Sequence, residues 1–167
     1  MRLTRLTVAL TLIVAATAAG SVAASAKPSG HKGKCARIAG EFTFASFQFT
    51  SATAAVGTGV VRGDVNGTFH AQYWDIHTGA DGVIDTLGSH VLTTARGSLV
   101  TLDAIRLIPD SDPSSGFVRP DSRLRVVGGT GSYEGTTGLL RTSGRVNLST
   151  LEGSIGYEGN LCSRGDD

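Results

Sequence analysis

Asp103 is the residue with the most to explain. It shares an alternation phase with Leu99, Thr101, Ile105 and Leu107, which places a carboxylate on the apolar phase of a strand. A buried carboxylate needs a partner, because an unpaired charge in an apolar interior is costly. Arg123 or Arg125 on the following strand is the expected partner, as a structural Asp–Arg pair. A ligand-orienting role for Asp103 is the sharper alternative. His90 shares its phase with Leu92 and Thr94. A histidine facing the interior could shuttle a proton or hold a ligand by a hydrogen bond, although a surface or rim position is the commoner one. From Thr68 onward, His70 falls with Gln72 and Trp74, and Phe69 falls with Ala71 and Tyr73. Both phases carry an aromatic, so alternation leaves open which faces inward. Glu41 is the only acid of the first strand, and an outward position at the strand start is its simplest reading. Together Glu41, Tyr73, His90 and Asp103 are the candidates for acid–base work, and Phe42, Phe44, Tyr73 and Trp74 the candidates for apolar contact with a ligand.

Other chemistry finds little support. The chain has no Gly-x-Ser-x-Gly elbow, no His-Glu-x-x-His and no paired cysteines at zinc spacing, so neither a cofactor nor a metal is expected. Asp81-Gly82-Val83-Ile84-Asp85 mimics half of a calcium loop, but His77, Gly79 and Gly88 stand where ligands belong. Asp110, Asp112, Ser114 and Asp121 fit a second such frame, with Ser115 where glycine is needed. A solvated turn is the expectation there. Gly129-Thr130-Gly131 invites a phosphate-loop reading, yet a Gly- and Thr-rich run follows it and no helix start could hold a phosphate. Gly128, Gly129, Thr130, Gly131, Tyr133, Gly135 and Gly138 are therefore expected to build a tight corner, with Tyr133 folded over it as packing.

The elements that must position these residues are strands. Ile38 to Thr50 alternates, with Phe42 and Phe44 on one phase and Phe47 and Phe49 on the other, which predicts a bulge near Ala45-Ser46. Gly59–Val65 and Thr68–Ile76 flank Asn66-Gly67, which predicts a type I′ hairpin. Ser89–Thr94 and Ser98–Ile108 flank Ala95-Arg96-Gly97 as a second hairpin. Arg119–Val127, Thr137–Leu148 and Gly153–Leu161 bring the count to about eight. Short links between antiparallel strands favour a closed barrel or a sandwich. Two longer links, His77–Gly88 and Pro109–Val118, are expected at a barrel mouth or rim.

The start of the chain has the composition of an export signal. Arg2 and Arg5 precede the apolar stretch Leu6–Ala19, and Ala24-Ser25-Ala26 offers small residues for cleavage. Cleavage after Ala26 would leave 141 of 167 residues, with 13 basic and 14 acidic side chains. This predicts a signal peptide over 1–26, a leader over 27–35, one barrel domain over 36–162 and a tail over 163–167. A near-neutral domain gives no electrostatic reason to bind nucleic acid, and no later segment reaches the roughly 18 apolar residues a membrane span needs. Cys35 precedes the first strand and Cys162 ends the last, and these strands are neighbours in a closed barrel. Export permits oxidation, so a Cys35–Cys162 bridge is expected.

Four segments carry a resemblance: Gly63-Asp64-Val65-Asn66-Gly67-Thr68-Phe69, Gly97-Ser98-Leu99-Val100-Thr101-Leu102-Asp103, the Gly-Gly-Thr-Gly-x-Tyr-x-Gly-x-x-Gly run from Gly128 to Gly138, and the Gly159-Asn160-Leu161-Cys162 ending. The chain resembles bacterial members of the allene oxide cyclase/dirigent group of barrels over most of 36–162. That resemblance implies a calycin-like, eight-stranded antiparallel barrel with an apolar interior. The group includes isomerases that close rings in lipid epoxides or polyketides, and dirigent proteins that steer radical coupling. The glutamate- and asparagine-rich first strand of the plant cyclases is not matched by Gly40-Glu41-Phe42. The first expectation is thus a secreted barrel that binds or steers a small hydrophobic molecule. An isomerase or cyclase of a lipid or polyketide is the alternative. A barrel packed solid by its own side chains, serving as a cell-envelope interaction module, is the third reading.

Overall fold

The computed structural model describes residues 34–163. The expected signal peptide and most of the leader lie outside the described residues, as does the tail beyond Ser163. Nine strands follow in chain order: β1 (Cys35–Ser51), β2 (Ala54–Gly63), β3 (Gly67–Thr78), β4 (Ile84–Thr94), β5 (Gly97–Pro109), β6 (Phe117–Pro120), β7 (Arg123–Gly129), β8 (Thr137–Asn147) and β9 (Gly153–Cys162). Eight of them close an antiparallel barrel in the order β1-β2-β3-β4-β5-β7-β8-β9, and β9 returns to β1. The short β6 lies outside that ring, pairing with the far ends of β5 and β8 beyond β7. The single strand expected over Arg119–Val127 is therefore broken at Asp121-Ser122. Pro120 has no N–H for the ladder. Beyond it the Asp121 N–H turns to the Arg106 carbonyl at 2.8 Å, and the Ser122 N–H turns to Thr142 Oγ1 at 3.1 Å.

The interior is shaped by matching large rings to small neighbours. The inward phase of β2 runs Ala55, Gly57, Gly59, Val61, and this leaves space for aromatics from the strands on either side. Phe44 and Phe69 meet there edge to face with ring centres 5.2 Å apart. A Cβ at Gly59 would lie 2.6 Å from the Phe69 ring and closer still to the Thr43 carbonyl, so only glycine fits. The expected bulge is present between Phe44 and Ser46, where Ala45 has no partner on β2. It re-aims β1 so that Phe47 follows Phe42 and Phe44 to the lumen side.

One end of the barrel is closed. Ile38, Val61, Val65, Leu92, Leu99, Val126, Tyr133, Leu140 and Tyr157 are all buried, and the Tyr157 hydroxyl accepts the Val65 N–H at 3.3 Å. Here the Asn-Gly hairpin departs from expectation. Asn66 does not take the positive φ of a type I′ turn. The loop instead spans Asp64-Val65-Asn66, with Gly63 at φ 118° and the Gly63 N–H bonded to Asn66 Oδ1 at 3.2 Å. Burial of Val65 against the barrel floor outweighs the two-residue turn preference. At the neighbouring corner Gly131 has φ 60°, a Cβ there would collide with the Arg96 carbonyl at 2.3 Å, and Tyr133 is buried beneath.

The opposite end carries the loops at 79–83 and 110–116, where the two longer links were expected. The first is shorter than expected because β4 begins at Ile84, with Gly79 N–H closing on the Val83 carbonyl at 2.8 Å. The 110–116 loop is pinned by Arg145, which pairs with Asp110 at 2.6 Å and lies over the Phe117 ring at 4.1 Å. Asp112 is occupied within the loop, accepting from the Ser114 hydroxyl at 2.6 Å.

Cys35 and Cys162 are cross-strand partners on β1 and β9 and are disulfide-bonded across 127 residues. A loop that long constrains the unfolded chain by about 4–5 kcal/mol in the chain-entropy account. Denatured, unreduced protein is therefore expected to show no free thiol. Urea unfolding of Cys35→Ser/Cys162→Ser should give a stability lower by up to that amount. Two titratable thiols in the native protein would refute the bridge.

Candidate functional site

Register explains how β3, β4 and β5 assemble a polar cluster. His90 on β4 lies directly opposite Ala71 on β3 and Thr101 on β5. Both partners are small. The larger Tyr73 and Asp103 stand two residues further along the same phase, at the diagonal positions a long side chain can reach. Gly88 is the β4 residue opposite both of them. A Cβ at Gly88 would press on Tyr73 Cδ1 at 3.1 Å and Ile105 Cδ1 at 3.0 Å, so its absence lets both side chains pack against the β4 backbone. The His90 ring therefore bridges its neighbours: Nδ1 lies 2.6 Å from Asp103 Oδ2, and Nε2 lies 3.3 Å from the Tyr73 hydroxyl.

The cluster is enclosed. The side chains of His90 and Asp103 are 8% and 0% exposed. Phe42 and Phe69 lie against the imidazole with ring centres 5.6 and 5.7 Å away. Asp103 Oδ1 is buried and has no hydrogen-bond partner. Burial, and secondarily the Asp103 charge, push the Tyr73 phenol well above its ordinary range, so it stays protonated.

Above this cluster the barrel is hollow. A cavity of about 290 Å³ extends from the level of His90 and Tyr73 to the open end. Its walls are chiefly Phe42, Phe44, Phe47, Ile76, Ile84, Ile105, Leu107, Leu124, Leu148 and Ile155, with hydroxyls from Thr86, Ser122 and Thr142. Phe49 stands at the rim and is 64% exposed.

Of the residues singled out from sequence, Phe42, Phe44, Tyr73, His90 and Asp103 meet in this region. Glu41 and Trp74 do not. Glu41 is exposed on the outer side of β1, and Trp74, 39% exposed, faces outward on β3 because Phe69, Ala71 and Tyr73 hold the inner phase. The expected Asp–Arg pair is absent. Leu124 is the β7 residue opposite Asp103, so Arg123 and Arg125 point to the outer face, and His90 is the partner instead. His70 is exposed, and His77 bonds Asp75 at the rim at 2.7 Å. Ser122 carried no signal in the sequence, since its place in the wall follows from the break after Pro120, whereas Thr142 shares the alternation phase of the buried Leu140 on β8. Gly88, expected at the end of the His77–Gly88 link, lies instead on the inner phase of β4 between Thr86 and His90.

These shifts carry a pH dependence. Burial also raises the Tyr157 phenol. A folded state that holds phenol protons more tightly than the unfolded chain is stabilised fully below the unfolded phenol value near 10, and this contribution is lost as pH rises above it. In a spectroscopic alkaline titration of the native protein, Tyr73 should ionise only with unfolding. Reversible ionisation of all three tyrosines near pH 10 in folded protein would contradict the burial.

The chain finds no significant match among protein-family models, curated proteins or solved structures.

Proposed function

We propose that this protein binds a small hydrophobic molecule in the barrel cavity and fixes its orientation at the polar floor. The observation that carries this reading is the open-ended, largely apolar cavity of about 290 Å³ with Tyr73 and His90 at its inner end. Ligand sites of this kind are mostly apolar, with few polar groups that set orientation. An eight-stranded barrel is wide enough to be filled by side chains or to hold one small ligand. The open space bounded by the partly buried Ile76, Ile84, Leu107 and Leu148 favours the second state over a packed interaction module. The resemblance to allene oxide cyclase and dirigent barrels is in keeping with this reading. The disulfide indicates a non-reducing setting. With the signal-like residues 1–26 it supports secretion to the exterior or the cell envelope. Among the described residues no helix is long and apolar enough to cross a membrane.

A second reading, an isomerase or cyclase of a lipid or polyketide, draws on the Tyr73–His90–Asp103 chain. Such a chain can hold and move a proton beside a desolvated substrate. The carboxylate itself does not line the cavity, which favours binding and steering over acid–base turnover as the first reading.

Mature protein purified from its native medium and extracted with organic solvent should release a reproducible small molecule detectable by mass spectrometry. Emptied protein should enhance the fluorescence of N-phenyl-1-naphthylamine. Leu107→Trp, at the cavity wall, should weaken that binding at least tenfold, while Leu102→Ser on the outer face leaves it unchanged. Dye binding indifferent to Leu107→Trp, together with an empty extract, would sink the reading.

A further inference from the structure

The His90–Asp103 pair has a consequence for which molecules the cavity accepts, given the reading of that cavity as a ligand site. A carboxylate only accepts hydrogen bonds, so the 2.6 Å contact with Asp103 Oδ2 places the ring proton on Nδ1. In the neutral imidazole Nε2 is then a bare acceptor, and the Tyr73 hydroxyl donates to it at 3.3 Å. Tyr73 keeps its own proton, and that proton is directed into the wall. What its oxygen can still offer the cavity is a pair of acceptor sites.

The nearby Thr86 behaves in the same way. Its hydroxyl donates to the Trp74 carbonyl at 2.8 Å, with the Leu87 carbonyl as a second acceptor at 3.0 Å, so it too turns lone pairs inward. Thr142 Oγ1 accepts the Ser122 N–H at 3.1 Å. The Ser122 and Thr142 hydroxyls can rotate to donate or accept, and they set no preference.

We propose that Asp103, by fixing the tautomer of His90, makes the cavity floor a hydrogen-bond acceptor. The barrel thereby selects an apolar molecule whose head group is a hydroxyl donor over the matching ketone. A ketone would set its carbonyl oxygen against the Tyr73 oxygen, leaving two desolvated acceptors facing each other without a proton between them. Asp103 and His90 are positioning residues in this scheme, since Tyr73 makes the contact. The same scheme accounts for a buried carboxylate in an apolar wall, where a structural ion pair with an arginine does not form.

Two measurements test this. Long-range proton–nitrogen NMR of the native protein at neutral pH should show His90 as the neutral Nδ1–H tautomer. An Nε2–H tautomer or a doubly protonated ring overturns the proposal. Competition against N-phenyl-1-naphthylamine then compares 4-tert-butylcyclohexanol with 4-tert-butylcyclohexanone, which share one carbon skeleton. The alcohol should bind on the order of tenfold more tightly. The double variant His90→Phe/Asp103→Leu removes both polar partners together, which avoids stranding a buried charge. It frees the Tyr73 O–H to turn into the cavity, so the preference should fall to parity or reverse toward the ketone. Equal affinities in the native protein, or a tenfold alcohol preference surviving in the double variant, sink this proposal and leave the binding reading standing. Failure of dye, alcohol and ketone alike to bind sinks both.

Discussion

Closure of β1 onto β9 is the constraint on which the rest of the structure depends. Eight consecutive pairs, from Cys35↔Cys162 to Phe42↔Ile155, join the first strand to the last. Without them the sheet would present two long free edges, which invite pairing with other chains, and β1 would no longer present its phenylalanines to a lumen. The disulfide sits at the end of this seam, where the ladder begins. The surface pair Arg37–Glu158 on the same seam is 79% and 62% exposed on its two side chains, and contributes little beside the ladder and the bridge. Closure also fixes the volume available to side chains, so each inward residue must be matched to those across the lumen.

That matching differs along the barrel axis and produces a container with one mouth. Toward the disulfide end, Leu92, Leu99, Val126, Leu140 and Tyr157 fill the interior almost completely, and Val65 from the β2–β3 loop closes the floor. Toward the other end the inner positions become Ile76, Ile84, Leu107 and Leu148, which are only partly buried and line open space. The His90 level separates the two regimes. There Gly88, Ala71 and Thr101 are small, and the polar chain crosses the wall where tight packing gives way to cavity.

Much of this was legible in the sequence because alternation and turn chemistry are local. The phase of Leu99, Thr101, Asp103 and Ile105 matched the inner face, the one-residue switch between Phe44 and Phe47 marked a bulge, and the terminal cysteines announced which strands meet. What failed was set by tertiary contacts. Asn66-Gly67 has the chemistry of a two-residue turn, but Val65 gains more from burial than the turn would give. The break after Pro120 depends on where β6 and β7 dock between β5 and β8. The partner of Asp103 was sought on the next strand in sequence, among arginines, because charge pairing is readable without coordinates. The diagonal relation to His90 depends on the register of β4 against β5, which no local pattern fixes. Tyr73 and Trp74 could not be told apart by alternation, and the inner phase of β3 was decided by the small face of β2, against which Phe69 packs.

The polar chain runs against the stability of the barrel that holds it. A carboxylate buried in an apolar wall is costly, and Asp103 Oδ1 is left without any hydrogen bond. The surrounding wall is made of phenylalanine, leucine and isoleucine, so an apolar solution at positions 90 and 103 is within reach of this architecture. Solubility does not account for the pair, since neither side chain reaches the outer surface. Loop anchoring does not either, since both residues lie within strands paired on each side. In the proposed scheme the pair governs the direction of the hydrogen bond at Tyr73, at the inner end of the cavity. Local violations of packing and polar satisfaction concentrate where a protein uses them. By that criterion the floor of the cavity, rather than its rim or the glycine corner at Gly128–Gly138, is the part of this barrel on which the proposed ligand binding rests.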